Sequence, residues 1–277
     1  MLIKLVNRRA VSPLISTLLI MAITMLALSV TLGFTQATLT RKNGETDFES
    51  AKSFMKNLCL QVDDVAWVRG RVDTVHFTAQ YGQLEYLEDG VQYKIDFYDS
   101  FNNLVNTTTL TSDVFLYNMP VEKYYLDETY YEPLIKEGSN NLFLSGPNAP
   151  VARVFAIQSS IAGDSQFLRI ALVPALRWTS YEVTGSSTTH YVRMYYPELQ
   201  RGYSSDLPKS IVLTGIDVTT GIHNNISRID VAVTFPQFEK NYDNNFFKFT
   251  EVTTSLTLSA ESQVEMYSGQ VRLDYGA

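Results

Sequence analysis

Three histidines (His76, His190, His223), one cysteine (Cys59) and the acidic pair Asp63-Asp64 are the residues of this chain whose types first suggest a reaction or a metal. The histidines are scattered, with no H-E-x-x-H, no close pair and no second cysteine, so a zinc site would have to be assembled wholly by the fold. The chain also lacks a G-x-S-x-G elbow, a Walker loop and a dinucleotide fingerprint. Asp63-Asp64, on the expected second helix, reads as a solvated turn rather than an acid/base pair. Asp243-Asn244-Asn245 offers oxygen ligands without the regular frame of a calcium loop, and reads as a solvated loop. The expectation is therefore a protein that is not an enzyme, with no catalytic residue, no metal and no cofactor.

Two other residue types carry chemistry of a different kind. Asn106-Thr107-Thr108 and Asn225-Ile226-Ser227 are N-x-S/T acceptors, which makes Asn106 and Asn225 candidate N-glycosylation sites on an exported protein. The 17 tyrosines cluster in pairs such as Tyr124-Tyr125, Tyr130-Tyr131 and Tyr195-Tyr196. Adjacent strand residues face opposite sides, so one of each pair is expected to point away from the core. Exposed tyrosines suit recognition surfaces, and half-buried ones with a wet hydroxyl need no ligand. The pairs alone assign no ligand.

The elements that position these residues fall into two kinds. From Val11 to Thr40 there is no Asp, Glu, Lys or Arg. A helix of that length reaches about 45 Å, enough to cross a hydrocarbon core of about 30 Å. Lys4, Arg8 and Arg9 lie before the run, and they place the N-terminus in the cytoplasm and the remainder outside, although Arg41 and Lys42 on the far side weaken that asymmetry. The whole chain of 277 residues has 22 basic and 29 acidic residues, a net charge of −7 that argues against nucleic acid as a partner. A single cysteine rules out an internal disulfide, so an exported domain must be stabilised by its core.

An apolar run with basic residues before it also fits a cleaved secretory signal, with Ala27-Leu28-Ser29 as a small-x-small site, or an uncleaved signal anchor. A more specific reading comes from the residues just before the run. Arg8-Arg9-Ala10 followed by Val11-Ser12-Pro13-Leu14-Ile15 resembles the class III signal of archaeal type IV pilins, a basic leader ending at a small residue before a V-S-P-hydrophobic start. The resemblance covers about the first 40 residues. It implies a cut between Ala10 and Val11 by a prepilin peptidase that recognises a leader containing Arg8 and Arg9, with the apolar helix kept as the mature N-terminus. Bacterial relatives carry Glu at the fifth mature position, which here is Ile15; archaeal members commonly lack it. Ser12 as N-cap and Pro13 in the first turn would start the helix just beyond the cut.

Small and hydroxyl residues from Ser16 to Gly33 suit either close helix packing in lipid or a lone anchor whose hydroxyls bond their own backbone. A break is expected at Asn43-Gly44. A second, amphipathic helix then follows, with a Thr46/Glu49 capping box, an apolar stripe of Phe48, Ala51, Met55, Leu58, Val62 and Val65, and a stop at Gly70. Beyond Arg71 the alternating segments VDTVHFT, VQYKIDFYD, VARVFAIQ, FLRIALVP, HYVRMYY, RIDVAVTF, SLTLSA and QVRLDY predict strands. Glu88-Asp89-Gly90, Gly146-Pro147-Asn148 and other Gly/Asn/Ser stretches predict turns.

The expected organisation is a leader over 1–10, a membrane-spanning assembly helix over 11–40, an amphipathic helical stem over 41–70 and a mostly-β, antiparallel, sandwich-like extracellular domain over 71–277. Residues 132–150 are either an internal boundary or a long loop. The expected function is a pilin-like structural subunit at the cell surface, a minor pilin or pseudopilin. Its partners are the membrane, the prepilin peptidase and other pilin subunits. The alternative is a membrane-tethered extracellular binding module that does not assemble.

Overall fold

A computed structural model describes residues 8–135, 141–159, 166–184, 188–203, 209–240, 242–249 and 252–276. One long apolar N-terminal helix is followed by a large, mostly antiparallel β domain. The chain divides into two compact units, Met1–Thr46 and Asp47–Ala277, so the division falls inside the helix rather than within 132–150.

The helix, α1, runs from Arg8 to Val65 without interruption. It starts before Ser12, which is therefore an interior residue and not the cap; Arg8, Arg9 and Ala10 are good helix formers and extend it backwards. No break occurs at Asn43-Gly44, and the expected second helix is the C-terminal part of α1. Gly44 costs a helix interior only about 1 kcal/mol, and the Lys42–Glu45 pair at 3.1 Å bridges it. Thr46 does not cap either: its hydroxyl donates to the Lys42 carbonyl at 3.0 Å, inside the helix.

In the second unit α1 buries the stripe Phe48, Ala51, Met55, Leu58, Val62 and Val65 completely. After Val65 the chain turns, and Gly70 takes a left-handed φ of 77° while its N–H donates to the Gly215 carbonyl at 2.7 Å. Close approach there requires glycine on the sheet side. A Cβ on Gly215 would lie 2.5 Å from the Val68 carbonyl oxygen, and one on Gly269 would collide with that of Ala66.

Among the described residues eleven strands follow: β1 (Val72–His76), β2 (Gln83–Tyr98), β3 (Leu104–Pro120), β4 (Tyr131–Pro133), β5 (Phe143–Ser145), β6 (Ala152–Ser159), β7 (Phe167–Pro174), β8 (Leu176–Thr184), β9 (Thr188–Arg201), β10 (Ser210–Thr234) and β11 (Thr253–Gly276), with a short helix, α2 (Asn244–Phe247), before the last. Each of the eight predicted segments falls mainly on a strand. The sheet order is β4-β6-β7-β3-β2-β10-β11-β9-β8-β5, with β1 also on β10. Pairing is antiparallel except for β11 with β9 and β5 with β8. The sheet curls until strands distant in this order meet: the Leu199 N–H on β9 donates to Ser112 Oγ on β3 at 2.8 Å.

Curling gives the sheet two buried faces. One packs on α1 through residues such as Phe115, Tyr117, Ile170, Leu172, Leu213 and Leu273. The other encloses a second core of Tyr93, Ile95, Leu116, Phe155, Met194 and Val231. From Ile170 to Pro174 strand β7 reads as a continuous apolar run because Ile170 and Leu172 face one core, and Ala171 and Val173 the other. Strands β10 and β11 change cores along their length. Ile211 and Leu213 lie on the α1 side, Ile229 and Val231 in the second core, and register shifts between them re-aim the side chains.

Two expected features are corrected. Glu88-Asp89-Gly90 is a bulge within β2 and not a turn; Asp89 takes a φ of 50° and its N–H donates to Asp113 Oδ1 at 3.0 Å. Bulges and turns recruit the same left-handed residues, which is why the sequence looked alike. The tyrosine pairs do not each send one ring outward. Tyr130 packs on the edge of one core and Tyr131 on the other, and Tyr195 and Tyr196 divide the same way, because both faces of their strands are covered. Tyr124-Tyr125 does fit, with Tyr125 half exposed.

Candidate functional site

The residues nearest to chemistry in the N-terminal unit are those of the expected processing site. Arg8, Arg9, Ala10 and Val11 are the first four residues of α1; Lys4, with the rest of residues 1–7, lies outside the described residues. From Ile15 to Leu39 α1 exposes large apolar residues on every side, with Leu26 69% exposed and Phe34 75% exposed. Its most apolar 18-residue window has a mean hydropathy of 2.2 with none of it buried, so α1 is long and apolar enough to be a single membrane span. Several hydroxyls along it are satisfied within the helix. Thr24 donates to the Met21 carbonyl at 2.9 Å, Ser29 to Met25 at 2.9 Å and Thr31 to Ala27 at 2.8 Å. Lipid offers no other acceptor, and this arrangement leaves the outer surface apolar.

In the β domain the most extended cluster of charged and aromatic side chains crosses β8, β9 and β11 and ends on α1. The register sets Tyr181 beside Tyr191, Arg193 beside Glu265, and Tyr195 beside both Arg177 and Tyr267. The Tyr181 and Tyr191 rings stack at 5.1 Å, and the Arg193 guanidinium lies 4.8 Å from the Tyr181 ring centre. Arg193 Nε donates to Glu265 Oε2 at 2.7 Å, and the Tyr267 hydroxyl donates to the same oxygen at 3.0 Å. The bond from Arg193 holds the Glu265 carboxyl below its usual range. Tyr267 stacks on Tyr195 at 5.2 Å, and Tyr195 lies 4.9 Å from the Arg177 guanidinium. Arg177 then donates to Asp63 Oδ2 at 3.2 Å, and Trp67 Nε1 donates to Asp63 Oδ1 at 2.9 Å.

This ladder assigns Asp63 its role. It is an acceptor that ties the end of α1 to the sheet, not a free acid, and its neighbour Asp64 pairs with Arg71. No local period links Arg177, Tyr195 and Tyr267 to Asp63, because Arg177 meets Tyr195 only through the β8–β9 pairing and Tyr195 meets Tyr267 only through the parallel β11–β9 pairing. Along the ladder, carboxylates are met by guanidinium groups and ring faces by rings or cations. The arrangement braces the end of α1 against the sheet.

The other chemistry-bearing residues lie apart from it. Burial pushes the Cys59 thiol up to about 12, and its Sγ faces the Ala152 carbonyl at 3.5 Å, so it is an inert core residue. His223 stacks on Phe97 at 4.3 Å, and burial lowers its pKa; His190 faces Glu182 at 3.1 Å; His76 is exposed on β1. The expected loop at Asp243 is the start of α2, which Asp243 caps, its Oδ1 accepting from the N–H groups of Asn245 and Phe246 at 2.9 and 3.1 Å. Among the described residues no three of His, Cys, Asp and Glu come together as metal ligands. A groove of about 370 Å³ does open beside the ladder, lined by Trp178, Tyr181, Glu182, His190, Tyr191 and Leu256.

The two acceptor asparagines are both exposed but differ in backbone. Asn106 is extended in β3 opposite Phe97, whereas Asn225 sits at an irregularity of β10 with a φ of 59°. No family model, no curated protein and no solved structure matches this chain.

Proposed function

We propose that this chain is a pilin-like structural subunit of the cell surface, a minor pilin or pseudopilin that assembles through its N-terminal helix and carries its β domain outside the membrane. The observation that carries this reading is the double use of α1. Its stretch from Ile15 to Leu39 is apolar on all sides and exposed, while the same helix from Phe48 to Val65 is a core element of the β domain. A span that is also part of a folded core ties the domain to the bilayer without a linker, which suits a subunit whose helix is its assembly element. The Arg8-Arg9-Ala10/Val11-Ser12-Pro13 start supports removal of the leader by a prepilin peptidase, with Arg8 and Arg9 recognised and the bond between Ala10 and Val11 cut. The basic leader supports a cytoplasmic N-terminus. Ion-paired, braced side chains on the ladder fit a structural role rather than a catalytic one.

N-terminal sequencing of the protein isolated from membranes tests the reading. A mature chain beginning at Val11 supports it; a start at Met1 or near Val30 overturns it. Cysteines introduced along residues 15–39 should cross-link neighbouring copies, and buried Cys59 leaves that background clean. A second reading, a tethered binding module that does not assemble, is favoured by the groove lined with Trp178, Tyr181, His190 and Tyr191. Absence of helix cross-links in a correctly processed protein would select it.

A further inference from the structure

The first half of β3 is an open sheet edge. Strand β2 pairs with β3 from Leu104 to Asn118, but β7 takes the other side only from Phe115 to Pro120, so among the described residues the far edge of Leu104 to Thr111 has no strand beside it. Leu104, Val105, Asn106, Thr107 and Thr109 are all exposed there. From Leu104 to Ser112 the sequence has no charge and no proline. Lysine, proline and inward charges are the usual guards of such an edge; only an irregularity at its extreme start, between the pairs at Phe97 and Tyr98, is present. An uncharged, threonine-rich strand of this kind is a template for pairing with another chain.

Asn106 lies on that edge, and nothing local accounts for an asparagine there. Asparagine is disfavoured in strands. Its side chain makes no hydrogen bond among the described residues, and its backbone is extended. Asn225 differs, since a left-handed φ of 59° is by itself a reason for asparagine. The two acceptor motifs also differ at their hydroxyls. Among the described residues Ser227 Oγ is buried without a partner, whereas Thr108 is partly exposed and its hydroxyl makes no hydrogen bond, and its neighbour Thr107 is held by a bond to Asp96 Oδ1 at 2.6 Å.

We infer that Asn106 is N-glycosylated and that the glycan guards the β3 edge. The donor class is a lipid-linked oligosaccharide outside the membrane. Asn106 Nδ2 forms a bond to the anomeric carbon, the bond from that carbon to the lipid phosphate oxygen breaks, the amide proton passes to the transferase's base and the lipid phosphate leaves; nothing is oxidised or reduced. Strands pair at about 4.8 Å, so a glycan rooted in the edge strand holds a second strand beyond pairing distance. The inference rests on the β domain being exported.

The test is glycopeptide mass spectrometry on the full chain from its native membranes, with sensitivity of the β domain to protease added to intact cells measured on the same material. Thr108→Ser keeps the acceptor motif and should keep the glycan; Thr108→Ala and Asn106→Gln should lose it. The two glycan-free variants should shift to larger species in detergent and cross-link through a cysteine placed at Thr109, while Thr108→Ser should not. A bare Asn106 on a protease-accessible domain would overturn this inference and leave the pilin reading intact; a protease-protected domain would overturn both. Glycan-free variants as dispersed as Thr108→Ser would remove the guarding role.

Discussion

The two halves of α1 both carry many large apolar residues and are opposite in fate. Between Val11 and Thr40 charge is absent, so no side of the helix is marked for water, and the large residues from Ile15 to Leu39 stay exposed. Between Asp47 and Val65 the residues Glu49, Lys52, Lys56 and Asp64 keep one side polar, and the remaining stripe is buried. A helix apolar all round needs lipid or partner helices, whereas a striped one needs only a sheet. One continuous helix thus serves two environments, and what separates them is where charges stand.

Removal of residues 1–46 should break the comparison most completely. A chain beginning at Asp47 keeps every residue of both cores and should move from the membrane fraction to the soluble fraction with its β circular dichroism unchanged. Insoluble, unfolded product would mean that the apolar half contributes to the stability of the domain. Next in size is a matched pair of truncations. Leu58→Ala, in the buried half, should cost the β domain about 3 kcal/mol in denaturant unfolding, whereas Leu26→Ala should change it by less than about 0.5 kcal/mol.

Asp47 marks the junction. Its Oδ1 accepts from the Gln80 N–H at 2.6 Å, and its Oδ2 from the Tyr81 N–H at 3.1 Å and the Tyr117 hydroxyl at 2.9 Å. Asp47→Ala leaves these donors under cover, and should cost about 2 kcal/mol. A change within error would mean that water replaces the carboxylate.

The smallest effect per group is in pH. All 17 tyrosines follow Thr46, and burial raises those at Tyr86, Tyr93, Tyr117 and Tyr196 above the ordinary value of 10.0. Below pH 10 both the folded and the unfolded chain keep these protons, so they give no pH dependence. Above it the unfolded chain loses them first, and stability should fall by about 1.4 kcal/mol per pH unit for each such tyrosine. Residues 11–40 contain no titratable side chain, so membrane retention of the spanning half should be indifferent over the same range. Alkaline titration followed by tyrosinate absorbance, circular dichroism and sedimentation of membranes distinguishes the two responses.

Much of this contrast was legible in the residues. The charge-free run, the stripe from Phe48 to Val65 and the eight alternating segments each report a local period, and local periods survive into the fold because every face must meet its own solvent. The break at Asn43-Gly44 and the cap at Thr46 were misread because cooperativity carries a long helix through one glycine, and a threonine hydroxyl can bond backwards as readily as it caps. Tyr195-Tyr196 was misread because alternation tells which side a residue takes, not whether that side is covered.

By itself the sequence determined where the chain is apolar, with what period, and where the positive charges stand, which is enough for an N-terminal span, a helix with a buried stripe and a β-rich remainder. Only the tertiary structure decided that β11 lies parallel to β9, that Asp63 meets Arg177, that Gly215 and Gly269 admit the end of α1, and that the Asn106 edge of β3 stands open. Those are pairings between residues tens to more than a hundred positions apart. No local period encodes them; they follow from which curled arrangement of the sheet buries both of its faces at once.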